Sequence, residues 1–434
     1  MSEVRFNAAL AVLLRGLAET EPSLLEAGIV IRDLYGKLRV ALPLDADAAE
    51  RLDVATKPLW ETLGAYGSIQ GRHILGNDDF FDPDAMFRDP DIVDYVPPGA
   101  DRAVRLLDRQ VTGQDWARVG RDGEHPARIA FYGLKGGVGR STALAMAAYH
   151  LGVSGLNVLL VDLDLESPGL SGILLPPTGL PECGIVDWLV EDAVGQGEAI
   201  VQRMTALSPL SQFQTMRGSV RVVPAFGMDE EDYLAKLSRA FVDVPREPSG
   251  VSGFGKRARQ MLEALEAAYQ PDVVLIDSRA GLHDLAAISV VGLADTVLMF
   301  AVDTDQTWQG YRLLFSHWME RPRVLEAVRD KIVMVHALFP EDEQAANTRK
   351  FIEHSHDLFT STVYESEEDA GDAFNFDLMD SDAPHYPRRV FWNRRFLEFS
   401  SGLVEDGTIG DDFIEATFGE LFRSVDEQIG GASR

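Results

Sequence analysis

Ile129-Ala130-Phe131-Tyr132-Gly133-Leu134-Lys135-Gly136-Gly137-Val138-Gly139-Arg140-Ser141-Thr142 is the stretch from which the rest of this chain can be read. The apolar run 129–132 reads as a buried strand. A glycine-rich turn follows, then Ser141-Thr142, then the helical stretch Ala143-Leu144-Ala145-Met146-Ala147-Ala148. Strand, glycine turn and helix in that order are the setting of a phosphate-binding loop. Glycines let successive backbone N–H groups point at one anion, and the start of the helix adds its positive dipole end. Gly136, Gly137, Val138, Gly139, Arg140, Ser141 and Thr142 are therefore the candidate nucleotide-binding residues. The Ser141 hydroxyl is placed to ligate a magnesium ion.

Downstream of the loop the pattern alternates strand with helix, which implies a parallel sheet covered on both faces. Asn157-Val158-Leu159-Leu160-Val161-Asp162-Leu163-Asp164 is a buried strand ending in acids, and Asp272-Val273-Val274-Leu275-Ile276-Asp277 is another. Short strands are expected near 220–224, 296–302 and 331–335, with a helix from about 256 to 269. The segment 413–428 reads as a closing helix with Phe413, Ile414, Phe418, Leu421, Phe422 and Val425 on one face. In doubly wound sheets ligands bind beyond the carboxyl ends of the strands. Apolar runs that stop at Asp162, Asp164 and Asp277 suit magnesium–phosphate chemistry, because that cation prefers hard oxygen ligands and keeps several waters.

Residues 1–120 read as a separate α+β module. Leu10, Val12, Leu13, Leu14 and Leu17 fit one face of a helix, and 29–42 reads as a β-hairpin turning at Gly36. A second helix is expected over 47–64. Residues 76–101, rich in Asp and Pro, read as loop, and Ala103–Asp108 reads as helix. Residues 126–434 form the second domain.

The chain has 434 residues, 46% hydrophobic and 25% charged, so a sizeable core is available. No apolar run approaches the roughly 20 residues that a membrane span needs. The N-terminus lacks a basic start followed by an apolar stretch, so a cytoplasmic location is expected. A single cysteine, Cys183, excludes an internal disulfide and a cysteine-based cluster. The formal net charge of −29 disfavours both nonspecific nucleic-acid binding and docking on anionic lipid. Residues 365–385 hold Glu365, Glu367, Glu368, Asp369, Asp372, Asp377, Asp380 and Asp382 with no Lys or Arg. They read as a solvated acidic loop or as a partner-docking or nucleic-acid-mimicking segment.

The loop departs from G-x-x-x-x-G-K-[ST]: its first glycine position holds Leu134 and its lysine position Arg140. The form K-G-G-x-G-[KR]-[ST], here Lys135 to Ser141, resembles the deviant Walker A loop of the ParA/MinD family of ATPases. Together with Asp162-Leu163-Asp164 and Asp277, the resemblance covers about residues 126–340, and the C-terminal part more weakly. It implies a doubly wound P-loop NTPase fold that binds ATP and Mg2+. It also implies an ATP-dependent homodimer in which Lys135 reaches the partner's nucleotide. In that family the acid matching Asp162 lies near the magnesium, and the one matching Asp164 positions or activates the attacking water. Asp277 resembles the Walker B aspartate, which holds a magnesium-bound water. The catalytic set so implied is Lys135, Arg140 and Asp164; the metal set is Ser141, Asp162 and Asp277.

Three departures stand out. Arg140 keeps a positive charge but changes the donor geometry, which bears on turnover more than on binding. Arg279-Ala280 stands where the family often has Pro-Pro, and Val335-His336-Ala337 where it often reads adenine with an Asn. The loop is similar to that of arginine-bearing KGGVGR variant ATPases of bacteria, whose place in multi-gene systems implies a protein partner.

Other members of the superfamily fit less well. Iron–sulfur carriers need cluster cysteines, tyrosine kinases of this fold need a Tyr-rich tail, and a MinD-like membrane anchor needs a basic closing helix. The readings carried forward are a slowly hydrolysing ATP switch and a non-catalytic nucleotide-binding scaffold.

Overall fold

The computed structural model describes residues 4–98, 100, 102–120, 123–228, 232–246, 250–365, 373–396 and 409–432. They form two compact units. The first is Met1–Arg118 with Ser316–Glu326; the second is Val119–Phe315 with Ala327–Arg434. Residues 316–326, which the sequence reading places in the second domain, thus group with the first unit.

In the first unit, β1 (Ile29–Arg32) and β2 (Leu38–Ala41) form the hairpin, with Ile29 opposite Ala41. Gly36 sits in its turn at φ +80°, a region that costs glycine nothing. The strands β3 (Ile74–Leu75), β4 (Ile92–Tyr95) and β5 (Val104–Asp108) complete a sheet of order β3-β2-β1-β5-β4. Helices Phe6–Thr20 and Ala46–Thr62 bury Leu10, Leu13, Leu17 and Trp60 against Val30, Val40 and Leu106 of this sheet.

Two local expectations are corrected here. Within 103–108, Val104–Asp108 forms a strand, not a helix. A six-residue run with Leu106-Leu107 at its centre fits either periodicity. Pairing decides it: β5 lies parallel to β1 and antiparallel to β4. Within 76–101, read as loop, stand β4 and a short helix, Pro83–Phe87. Asp82 caps that helix, accepting from the Ala85 N–H at 3.0 Å, and Pro83 opens it. The Asp–Pro pair that looked like loop composition is a helix start.

The second unit is α/β. Its strands are β6 (Ala127–Gly133), β7 (Asn157–Asp162), β8 (Ala206–Leu207) and β9 (Ser219–Val223). A separate small hairpin follows, β10 (Val244–Arg246) with β11 (Gly250–Ser252). Then come β12 (Val273–Asp277), β13 (Thr296–Ala301), β14 (Ile332–Phe339) and β15 (Arg388–Phe391). The large sheet has the order β15-β14-β13-β6-β12-β7-β9-β8, parallel except for the edge strand β8. The strand that precedes the glycine-rich loop, β6, is thus central, flanked by β13 and β12.

Alternate residues of β6 serve opposite faces. Ile129 and Phe131 join a core with Leu144, Ala147 and Leu151 of helix Arg140–Ser154. That helix is buried nearly all round, because Ile414, Phe418, Leu421 and Phe422 of the closing helix Asp411–Ala432 belong to the same core. Tyr132 points the other way and meets Tyr311 of helix Asp305–Met319, ring centroids 6.4 Å apart. Near the start of β6, the fully buried Arg128 donates from Nε and Nη2 to both oxygens of Glu266 at 2.7 and 2.6 Å.

Of the acidic segment, Glu365 pairs with Arg329 at 2.6 Å. Glu367, Glu368, Asp369 and Asp372 lie outside the described residues. Among the described residues no helix is long and apolar enough to cross a membrane.

Candidate functional site

The loop between β6 and helix Arg140–Ser154 is shaped by glycine. Gly137 and Gly139 lie at φ +73° and +80°, where other residues are strained. A Cβ on Gly136 or Gly137 would meet nothing within 4 Å, so the space over them is open. Among the described residues, the backbone N–H groups of Gly136, Gly137, Val138 and Gly139 donate to no protein acceptor. Neither does the Ser141 hydroxyl, which opens the helix, have a protein partner there. This is a row of unused donors at a helix start, the arrangement that receives an anion.

The acids stand beside it at the carboxyl ends of neighbouring strands, where Asp277 of β12 lies in register with Asp162 of β7. Asp162 is fully buried and accepts backbone N–H bonds from Asp164 (3.2 Å), Gly169 (3.3 Å) and Leu170 (3.2 Å). It therefore organises the loop that carries Asp164. Burial pushes the proton affinity of Asp162 well above the usual carboxylate range, and Asp277 adds to this. Burial also raises Asp164, while Arg140 opposes the shift.

The Arg140 side chain is turned into these acids. Its Nε donates to Asp277 Oδ1 at 2.8 Å and its Nη2 to Asp164 Oδ2 at 3.0 Å. Its Nη1 is buried without a partner. Burial works against its charge, yet Asp277 and Asp164 outweigh that and raise its pKa. Two buried carboxylates thus share one guanidinium, and Asp162, in register with Asp277, has only backbone N–H partners among the described residues. The open donors of the adjoining loop suit a phosphate. Among the described residues no three His, Cys, Asp or Glu side chains form a ready metal cage. The donor set fits a hard cation that keeps its waters, with Ser141 as the inner hydroxyl ligand and Asp277 nearby.

Lys135 does not fold back onto its own loop. Its Nζ donates to Gln306 Oε1 at 2.8 Å and Thr304 Oγ1 at 3.4 Å. At the rim, Arg279 pairs with Glu166, which also faces His283. Sequence reading singled out Arg279 but missed Glu166, Thr304 and Gln306. All three lie just past the carboxyl ends of strands, and that position was the available signal. Leu338, at φ +54° in the irregular end of β14, was missed as well; its Cδ2 lies 3.8 Å from where a Gly139 Cβ would stand.

His336 is an internal residue of β14, 3% exposed and stacked on Phe351 at 4.3 Å. Its Nδ1 has no partner, and burial lowers its pKa to about 4. The unfolded chain takes up this proton near pH 6.5, whereas the folded chain resists until about pH 4. Stability is therefore lost as pH falls through that window. From pH 7 to pH 5 the protein should lose about 2 kcal/mol more than His336→Phe does. Equal losses in urea titrations at the two pH values would show that His336 is not the group responsible.

No protein-family model matches the sequence, and no curated protein is similar to it. Solved structures are. The structure of pnob8 ParA is 16% identical over 71% of this chain and 98% of that chain, with a TM-score of 0.43. A ParA family ATPase from Chlorobium tepidum TLS is 12% identical over 68% of this chain and 98% of its own, with a TM-score of 0.40. A cobyrinic acid a,c-diamide synthase from Mycobacterium smegmatis, solved with bound ATP analog and magnesium, is 19% identical over 55% and 79%, with a TM-score of 0.34.

Proposed function

We propose that the chain is an ATP-binding, slowly hydrolysing switch that dimerises around nucleotide and signals to a protein partner. One observation carries this reading. A glycine loop with unused N–H donors adjoins a buried acidic cluster at the carboxyl edge of the sheet. When bound, magnesium and ATP supply the neutralised, transferable phosphoryl group. The chain's own residues supply position and charge. Gly136 to Gly139 cradle the phosphates through backbone N–H groups, and the Ser141 hydroxyl reaches the cation. Asp277 orients water on the cation, Asp162 holds the Asp164 loop in place, and Asp164 orients the attacking water. Arg140 supplies positive charge beside the phosphates.

Lys135 has a different part. Its contacts with Gln306 and Thr304 hold it off its own loop, which leaves it free to serve a second subunit's nucleotide. Calorimetry with ATP and magnesium tests binding, and light scattering tests assembly. Lys135→Ala should bind nucleotide within about threefold of the natural protein but lose ATP-dependent dimerisation. A variant that still dimerises fully with ATP would overturn the role across the dimer. Absence of ATP binding by the natural protein would overturn the site.

A further inference from the structure

The Arg140 guanidinium is engaged in an unusual way for a side chain at the head of a phosphate loop. One edge of its planar fork, Nε and Nη2, bridges two carboxylates from different strand ends, Asp277 at 2.8 Å and Asp164 at 3.0 Å. The third nitrogen, Nη1, is buried and has no acceptor. The residue is only 7% exposed. A lysine could not do this, because its ammonium is a single point on a flexible stem. A guanidinium can hold two acids with one edge and keep a donor over for a third group. An unpaired buried donor is costly, and a phosphate oxygen held in the adjoining loop would be its acceptor.

We propose that Arg140 is the resident counter-cation of the acidic cluster, so that this site takes a nucleotide's phosphates without needing a divalent cation. The inference rests on the nucleotide-binding reading above and deepens it. Arg140 occupies the electrostatic place beside Asp277. Phosphate oxygens accept from Nη1 and from the loop N–H groups while Nε and Nη2 stay with the acids. Magnesium and Arg140 then compete for Asp277, and the cation serves turnover rather than capture.

The test uses the full chain and ADP as probe, titrated by calorimetry in excess magnesium and again in excess EDTA. The natural protein should bind ADP with dissociation constants within about threefold of each other. Arg140→Lys frees one carboxylate and should bind at least tenfold more weakly in EDTA than in magnesium. A tenfold or larger dependence on magnesium in the natural protein overturns the counter-cation role and leaves the nucleotide site standing. The same small ratio in Arg140→Lys also overturns it. Failure of the natural protein to bind ADP under both conditions removes the nucleotide site and the inference together. The natural-protein comparison needs no variant, so the proposal remains testable if Arg140→Lys does not fold.

Discussion

Alanine in place of Asp164 is expected to lower ATP turnover about a hundredfold or more and to leave nucleotide affinity within about threefold. The side chain stands at the rim of the phosphate loop on a segment that Asp162 fixes through three backbone bonds. A positioned carboxylate that orients or deprotonates a reacting group contributes roughly 10²–10⁴-fold. In the proposed reading binding would draw on the loop N–H groups, Ser141 and Arg140, and Arg140 would keep Asp277 when Asp164 is gone. Phosphate release at saturating ATP measures the effect. If the natural protein releases phosphate no faster than Asp164→Ala while binding ATP tightly, the non-catalytic scaffold replaces the switch.

Glu266→Leu destabilises the second unit by about 3–5 kcal/mol, because it strands Arg128 as a buried, unpaired charge. Arg128 is 1% exposed, and the Nε and Nη2 of its guanidinium find their acceptors in the two Glu266 oxygens. The double variant Arg128→Met, Glu266→Leu removes both charges and should return to within about 1 kcal/mol of the natural protein. Urea denaturation of the natural protein, both single variants and the double variant completes the cycle. A double variant as unstable as Glu266→Leu would mean that shape, not charge, sets the cost.

Much of the second unit was legible in its sequence. Apolar runs such as Val273–Ile276, each closed by an acid or a glycine turn and set between helical stretches, read as strands buried on both faces. The loop was legible because glycine has few reasons to recur four times in seven residues except to free the backbone. Residues 103–108 were not, since a short apolar run carries no decisive period and only its neighbours β1 and β4 make it a strand. The recruitment of 316–326 into the first unit was equally invisible, because sequence distance says nothing about which surface a helix covers.

The site divides along the same line. The sequence by itself determined the glycine-rich turn, its helix and the acids that end β7 and β12, because turn chemistry and side-chain period are local properties. It also determined that the lysine of the usual loop is an arginine. Only the tertiary structure decided what that arginine does. Asp164 is 24 residues from Arg140 and Asp277 is 137 residues away, and the order β6-β12-β7 brings both to its fork. Likewise it turned Lys135 toward Gln306, 171 residues on, and made Asp162 the anchor of the Asp164 loop. Charges meet by strand order and burial, and neither is written in the spacing of residues along the chain.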